Sequence, residues 1–540
     1  MVVSGWSREA GAGAGTVGEQ GSGRMPSSRV VIRRRGRSRG LLAAVCLLAA
    51  PIGARGGEVW VVDDDGPANF RDLPAAVASA RDGDTLVLRA GRYSAARWSG
   101  KGLVIVGAGS GATVIERRSG EGPFLAVSEV AIDSTVLLSG VTGIGRGSSL
   151  EFENINGLLV VADVVVDGRD GAAGPRFARC SSAYLARVAA IPPLRALGDA
   201  IGAGEVAGSG VALGASPAGI TLQRGSYSLC QVVAIGSVGC DAKSPRGLGQ
   251  EGGPGLSAND VQLELALCEF VGGRGGAALW DVTAPFCPEA ATAGTGGSGV
   301  ALGGRSSLRA AGSSGHSFVG GAGGSAARNP WEECYAHAGS GGAGLLLDLE
   351  PGQSIERPAE LELVGGEAGA GAASRAGRSG RPIEPPQEAA GDGAALPTLA
   401  LDPSPTVGGA VTLRVFGTPG DRVRLFVGAH PQRVNLKQIG GFAFHLMRGA
   451  PLAGHEFEII GDDGQLRIEA PLPADAALVG KLLAVQALVT PRSGRGRDSV
   501  LTNIDLLVIG DGAALAMAVP PAGRAGASGS LPGSSPRRLR

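Results

Sequence analysis

One period governs the middle of the chain. Units open SGVALGASPAGITL at Ser209, PGLSANDVQLEL at Pro254, SGVALGGRSSLRA at Ser298 and AGLLLDLEPGQSI at Ala343. The second residue of each is glycine, Gly210, Gly255, Gly299 and Gly344, at spacings of 45, 44 and 45. The last three units close alike, with FVGG at Phe270 and Phe318 and LVGG at Leu363, and the first closes more loosely with AIG at Ala234. A fixed period of this size signals a stacked architecture, in which each unit buries its apolar face only against its neighbours. The front half of each unit reads as strand. The rear half is rich in Gly, Ala and Pro and is expected to project as a loop.

Composition supports stacking over a single compact core. Of 540 residues, 94 are glycine and only 4% are aromatic, so bulky aromatic packing cannot carry the fold. Stacked aliphatic strands with glycine turns can. Lys+Arg and Asp+Glu are both 49, a formal net charge of zero, which argues against a dedicated nucleic-acid or anionic-membrane binder.

The segment 58–116 shows how the stack begins. A short strand at 59–62 leads through a polar turn into an amphipathic helix whose apolar face is Phe70, Leu73, Val77 and Ala80, with Asn69 placed to cap it. Asp82-Gly83-Asp84 then opens runs at 85–88, 103–106 and 113–115, which are too short for helices and read as strands buried on both faces. A helix before stacked strands suits a capped solenoid, because a bare first coil would leave an open strand edge. Similar runs without clear register, such as 158–166, fill 117–208 and read as earlier coils.

The run DGDTLVLRAGRYS, followed by KGLVIVGAGSGATVIE, resembles the N-terminal start of right-handed parallel β-helix proteins of the pectin-lyase-like class, and NFRDLPAAVASA resembles its capping helix. The resemblance implies a right-handed parallel β-helix. It implies no single activity, since that class holds lyases, hydrolases, esterases, adhesins and proteins without known activity.

Residues 1–57 read as a leader and export signal, with Met25 as an alternative start. Arg33, Arg34, Arg35, Arg37 and Arg39 form a basic region and 41–50 an apolar core too short to span a bilayer. Removal of the signal leaves no transmembrane span expected. It also leaves Cys180, Cys230, Cys240, Cys268, Cys287 and Cys334, an even count that suggests disulfides in an exported protein, with 15 possible pairings.

The β-helix is expected over 58–367, a low-complexity linker over 368–397, and a small β-sandwich over 398–512. The sandwich rests on alternating runs at 411–416, 422–427, 457–460, 466–470, 482–489 and 504–509. PLPADAALVGKLLAVQALV and VLTNIDLLVIG resemble a C-terminal β-sandwich module of large secreted proteins from planctomycete-like bacteria, and carry no catalytic motif. Residues 513–540 read as a disordered tail.

Chemistry is sought first on the repeat loops. Cys240, Cys287 and Cys334 recur once per loop, and the loops also carry Trp280, Phe286, Trp331 and Tyr335. An exposed aromatic row of Trp280, Trp331 and Tyr335 would stack on sugar rings; the alternative is a satellite core that holds the loops down. The cysteines are expected to staple loops or coils, with a Cys3His metal site of Cys240, Cys287, Cys334 and His337 as the lesser alternative. Asp63, Asp64 and Asp65 have the residue types for a cation but fit turn and cap chemistry.

Asp163, Asp167, Arg169 and Asp170 are the most enzyme-like group. A polysaccharide lyase needs carboxylates to hold Ca²⁺ against the substrate acid and a base to remove the α-proton, although DGRDG is also an ordinary glycine turn. The motifs of polygalacturonases and pectin esterases, and of phosphate loops, are missing. The expectation is therefore a non-catalytic secreted or cell-surface protein of bacterial origin that binds or scaffolds extracellular material through loops on one face, its partner a polysaccharide or cell-surface component, with no cofactor and no metal. The alternatives are a diverged polysaccharide lyase or glycoside hydrolase, with Ca²⁺ if a lyase, and an inert structural envelope protein.

Overall fold

The computed structural model describes residues 57–120, 122–145, 149–168, 173–191, 216–241, 248–278, 292–311, 317–326, 337–350, 355–356, 361–371, 376–385, 396–402, 405–428, 430–434, 440–441, 444–448, 458–475, 478–492 and 499–510. All of these fall within one unit, Gly40–Arg540. Twenty-one strands join into one parallel sheet, and three small sheets of 3, 5 and 2 strands follow toward the C-terminus. The fold is an all-β solenoid with smaller, mainly antiparallel sheets attached.

Each coil has three faces, A, B and C. In the coil 150–167, face A is 150–153, face B is 158–162 and face C is 164–167. Every face stacks in register from coil to coil, so like residues fall in columns. The inward column of face A runs Trp98, Val127, Phe152, Phe177, Leu222, Ala258, Leu302 and Leu347. That of face C includes Ala234, Phe270 and Phe318. Phe152 stacks on Phe177 with ring centroids 5.4 Å apart, and Phe270 meets Phe318 at 5.7 Å. These columns form one continuous core.

Two of the three corners are single left-handed residues. Between faces A and B they are Glu129, Asn154, Arg179, Arg224, Asp260 and Gly304; between B and C they are Gly140, Asp163, Arg187, Gln231 and Leu267. One residue at positive φ turns the chain sharply without breaking the ladder on either side. A non-glycine residue there costs roughly 1–2 kcal/mol, which the aligned columns must offset.

The start of the stack follows the sequence closely, with one correction. The helix is Leu73–Ser79 and its N-cap is Asp72, not Asn69. Asp72 Oδ1 accepts from Leu73 N at 2.8 Å and Ser94 N at 2.8 Å, while Asn69 Oδ1 accepts from Val61 N at 2.9 Å. Pro74 sits in the first turn, where no N–H is needed. Lys101 Nζ donates to the carbonyls of Val77 and Ala80, satisfying the far end of the helix. Asp84 ties the first strand down: Oδ1 accepts from Glu58 N at 2.7 Å, and Oδ2 from Trp60 Nε1 at 3.2 Å and Arg81 N at 2.8 Å.

The third corner, from face C back to face A, departs from expectation. Its described parts do not project as loose loops. They form a hydrogen-bonded glycine lattice. Outgoing segments pair with the next coil every third residue: Gly272 N to Val319 O, Gly275 N to Ala322 O and Ala278 N to Ser325 O. Returning segments do likewise, with Gly249 to Thr292, Gly252 to Thr295 and Gly255 to Ser298. A three-residue period without internal hydrogen bonds is that of polyproline II-type chain. The two layers are stitched by a zigzag in which Gly380 donates to Gly366, Gly366 to Gly342, Gly342 to Gly321, Gly321 to Gly297, Gly297 to Gly273, Gly273 to Gly253 and Gly253 to Ser237.

Glycine is required here by close approach. None of these lattice glycines has a φ in the left-handed region, yet a β-carbon at Gly273 would lie 1.9 Å from Ser237 O and one at Gly321 2.0 Å from Gly273 O. The lattice also moves a boundary. Gly341 donates to Arg378 O, Gly344 to Arg381 O, and Ile383–Glu384 pairs with Leu345–Leu349. Residues 376–385, assigned to a linker by their composition, thus add a rung to the solenoid, because glycine spacing and not apolar content decides membership of the lattice.

The sandwich runs appear where the alternation placed them, at Ala410–Phe416, Arg422–Gly428, Glu458–Ile459, Gln465–Pro471, Leu482–Thr490 and Val500–Val508. Thr398–Leu401 is an additional edge strand. Leu482–Thr490 and Val500–Val508 form a middle layer. Leu483, Val485, Val489 and Leu507 face the sandwich core, while Leu482, Ala484, Ile504, Leu506 and Val508 pack on Val106, Leu137, Val160, Tyr184 and Ala186 of face B. The outer side of face B is therefore apolar because it is covered.

Candidate functional site

The glycine lattice fixes where the repeat loops leave the body. Thr292 bridges both Leu248 and His337, and Ala278 bridges Ala326, so the loop roots of successive coils are paired rung on rung. Ala278 and Ala293 are buried together against Ala326. Adjacent strands in such a ladder lie about 4.7–4.9 Å apart, so loops rooted here start as close neighbours. Trp280, Trp331, Tyr335, Cys287 and Cys334 fall outside the described residues, and so do Arg169 and Asp170.

Cys180, Cys230 and Cys268 are buried as thiols, while Cys287 and Cys334, the loop cysteines expected to staple with Cys240, lie outside the described residues. Cys180 and Cys268 occupy inward core positions, and Cys230 lies at the seam with the sandwich, where Asn503 Nδ2 reaches its sulfur at 3.4 Å. Burial pushes the Cys180 and Cys268 thiols up to about 12 and raises Cys230 as well. Cys180 shares a column with Val130, Ile155, Gly225 and Val261, where it serves as a small hydrophobe. Cys240 is half-buried on an outgoing segment of the lattice. His337 is two rungs away on a returning segment, so the two are not gathered as ligands.

The acidic candidates separate. Asp163 is a left-handed corner residue beside the sandwich. Its carboxylate pairs with Arg187 at 2.8 Å, and Arg187 pairs on with Asp505 at 3.0 Å and donates to Leu506 O at 2.5 Å. Asp163 is thus spent on holding two modules together. Asp167 stands at the opposite end of face C, where Gly168 N closes onto Ile191 O. Nearby, His445 Nδ1 lies 2.9 Å from Tyr184 Oη and Nε2 3.7 Å from Glu264. The carboxylates of Asp63, Asp64 and Asp65 approach within 4.8 Å. Asp63 accepts from Gly66 N, as turn chemistry requires, and Asp64 accepts from Arg92 N, 28 residues on, tying this turn to a neighbouring strand.

One feature was missed from the sequence. Over the A–B corner lies an open cavity of about 280 Å³, lined by Ala178, Arg179, Gln223, Arg224, Asn259 and Asp260 from three successive rungs. The available signal was a charged or amide residue directly after the face-A alternation from Glu129 to Asp260, at positions where the chain uses glycine at Gly304. Arg179 donates to Asn154 Oδ1 and Glu153 Oε1. Arg224 stands 3.8 Å from Asp260 with its side chain 70% exposed.

The fold and these surfaces define a parallel β-solenoid with a glycine-lattice flank and a docked β-sandwich. Among the described residues no helix is long and apolar enough to cross a membrane. No protein-family model matches the chain, and no curated protein matches it.

Proposed function

We propose that this protein is an exported, non-catalytic binding scaffold that presents its repeat loops side by side to an extracellular polysaccharide. The observation that carries the reading is the pairing of the loop roots at Leu248, Thr292 and His337, and at Ala278 and Ala326. A rigid root restricts the loops before binding, which lowers the ordering cost of holding a ligand. Trp280, Trp331 and Tyr335 supply flat apolar faces of the kind that stack on sugar rings. The resemblance to the pectin-lyase-like class and the export-signal pattern support an extracellular polymer as partner. The use of Asp163 in the module seam weighs against a lyase centred on it.

A glycan array probed with the mature protein tests this reading. Binding is expected to at least one polymer, and Trp280→Ala with Trp331→Ala should remove it while the melting temperature stays put. Unsaturated sugar products released from a uronate polymer with Ca²⁺ would instead establish a lyase. Loss of thermal stability without loss of binding would make the tryptophans core residues.

A further inference from the structure

We propose that the A–B corner groove is a second binding site, for an oxyanion carried on a hydroxyl-rich chain, either a carboxylate or a sulfate ester. This deepens the polysaccharide reading above and rests on it for the nature of the chain. The groove's volume, about 280 Å³, lies near the lower end of small-ligand sites, roughly 300–1,000 Å³.

The two arginines in the groove differ in what they still have to offer. Arg179 is held by Glu153 and Asn154. Arg224, one rung on, has its Nε 3.8 Å from Asp260 Oδ2, beyond hydrogen-bond distance. Its side chain is 70% exposed, and a planar guanidinium left accessible in this way matches a carboxylate or sulfate in a bidentate manner. Gln223 Oε1 already accepts from Arg176 Nη2 at 3.3 Å; the amide groups of Gln223 and Asn259, stacked on successive rungs beside Arg224, bring donors to the groove. Asp260 is the one carboxylate in the lining, and its Oδ1 already accepts Arg305 N at 3.0 Å. Together they suit hydroxyls flanking an acidic group.

The backbone sets how these side chains are arrayed. Arg179, Arg224 and Asp260 all have positive φ, at 55°, 49° and 56°. The next residue of the same column is glycine, Gly304, at 61°. Glu129 and Asn154 hold the same conformation on earlier rungs, so the left-handed turn is the ordinary corner of this solenoid. Its effect here is to set Arg179, Arg224 and Asp260 one above another on successive rungs, with side chains 48%, 70% and 36% exposed.

The test uses the full-length protein in affinity gels containing alginate, dextran sulfate or unmodified dextran. The acidic polymers should retard the protein, less so as salt rises, and dextran should retard it less. Alginate against dextran sulfate separates carboxylate from sulfate. Arg224→Gln should weaken that retardation roughly ten-fold, as expected for loss of a charge-assisted pair, at unchanged melting temperature. Arg224→Lys should restore only part of it. Wild-type retardation by Arg224→Gln, equal retardation by dextran, or none by either acidic polymer would overturn the groove. If Trp280→Ala with Trp331→Ala abolishes binding while Arg224→Gln binds normally, the loop reading stands and the groove fails. The opposite pattern keeps the groove and removes the loops.

Discussion

Arg187 of the solenoid and Asp505 of the sandwich meet at 3.0 Å with side chains 9% and 0% exposed. Asp163, one rung before Arg187, completes the cluster. Burial opposes the charge on Arg187, but Asp505 and Asp163 outweigh it and hold the guanidinium protonated. Asp505 also accepts from Leu401 N at 2.7 Å and Leu506 N at 2.7 Å, so one carboxylate joins both sheets of the sandwich to the solenoid.

Removing one partner of this cluster should therefore loosen the modules. Arg187→Leu strands the buried Asp505 carboxylate and the mostly covered Asp163 and is expected to cost about 3–5 kcal/mol. Arg187→Leu with Asp505→Leu should cost less than the two single changes added together, because the orphaned charge is gone. Urea denaturation checks this, and a second transition in the single variant would mark separate melting of the sandwich. Purely additive losses would show that the pair does not couple the modules.

The lattice glycines should be intolerant of even one methyl. Gly273→Ala places a β-carbon against the Ser237 carbonyl, and Gly297→Ala against that of Gly253, at 1.9 and 2.1 Å. Backbone must shift in both cases, at a cost of about 1–3 kcal/mol. Arg274→Ala, an exposed neighbour between two buried glycines, should stay within about 0.5 kcal/mol. Hydrogen exchange reads the outcome directly: protection across 272–278 and 292–299 should fall in the glycine variants alone.

Asp84 should make the N-terminal coil sensitive to acid. Burial raises its pKa, but hydrogen bonds from Arg81, Trp60 and Glu58 outweigh this and hold the carboxyl below its usual value. A depressed pKa contributes stability above the unfolded value of about 3.9, which is lost as pH falls through the folded value. Asp84→Asn should lower stability at pH 7 by about 2–3 kcal/mol and flatten the decline below about pH 4. Thermal melts from pH 2 to 7 measure both effects.

The buried thiols give the opposite sign. Cys180 and Cys268 are pushed up to about 12 by burial. Their contribution is complete below the unfolded thiol's value of about 8.5 and is lost as pH rises through the folded one. Tyr93 and Tyr227, also raised by burial, add to the same alkaline decline. Iodoacetamide at pH 8 should leave Cys180, Cys230 and Cys268 unmodified in the native protein and alkylate all three in denaturant. Native labelling or a disulfide at any of them would contradict the packed core.

The fold was legible because strand stacking repeats a local pattern. The apolar alternation at 411–416, 422–427 and 482–489 placed three sandwich strands to within a residue or two. Asp82-Gly83-Asp84 identified the first turn, which the structure shows closed by Asp84 and by Asp82 Oδ1 on Gly102 N at 2.7 Å. The candidate site was less legible. Asp163, Asp167, Arg169 and Asp170 are close in sequence, but a left-handed corner at Asp163 sends its carboxylate to the seam while Asp167 ends the next face. The groove at Arg179, Arg224 and Asp260 draws on residues whose proximity exists only once coils stack.

By itself the sequence determined the all-β stacked class, the helical cap and the sandwich strands, since hydrophobic period and turn chemistry are properties of neighbouring residues. Tertiary structure alone decided that the glycine-rich halves are a hydrogen-bonded lattice, that the sandwich covers face B, and that Cys180, Cys230 and Cys268 are packed thiols. Glycine, aspartate and cysteine each have more than one use, and only the partner that arrives from another coil or another module selects among them.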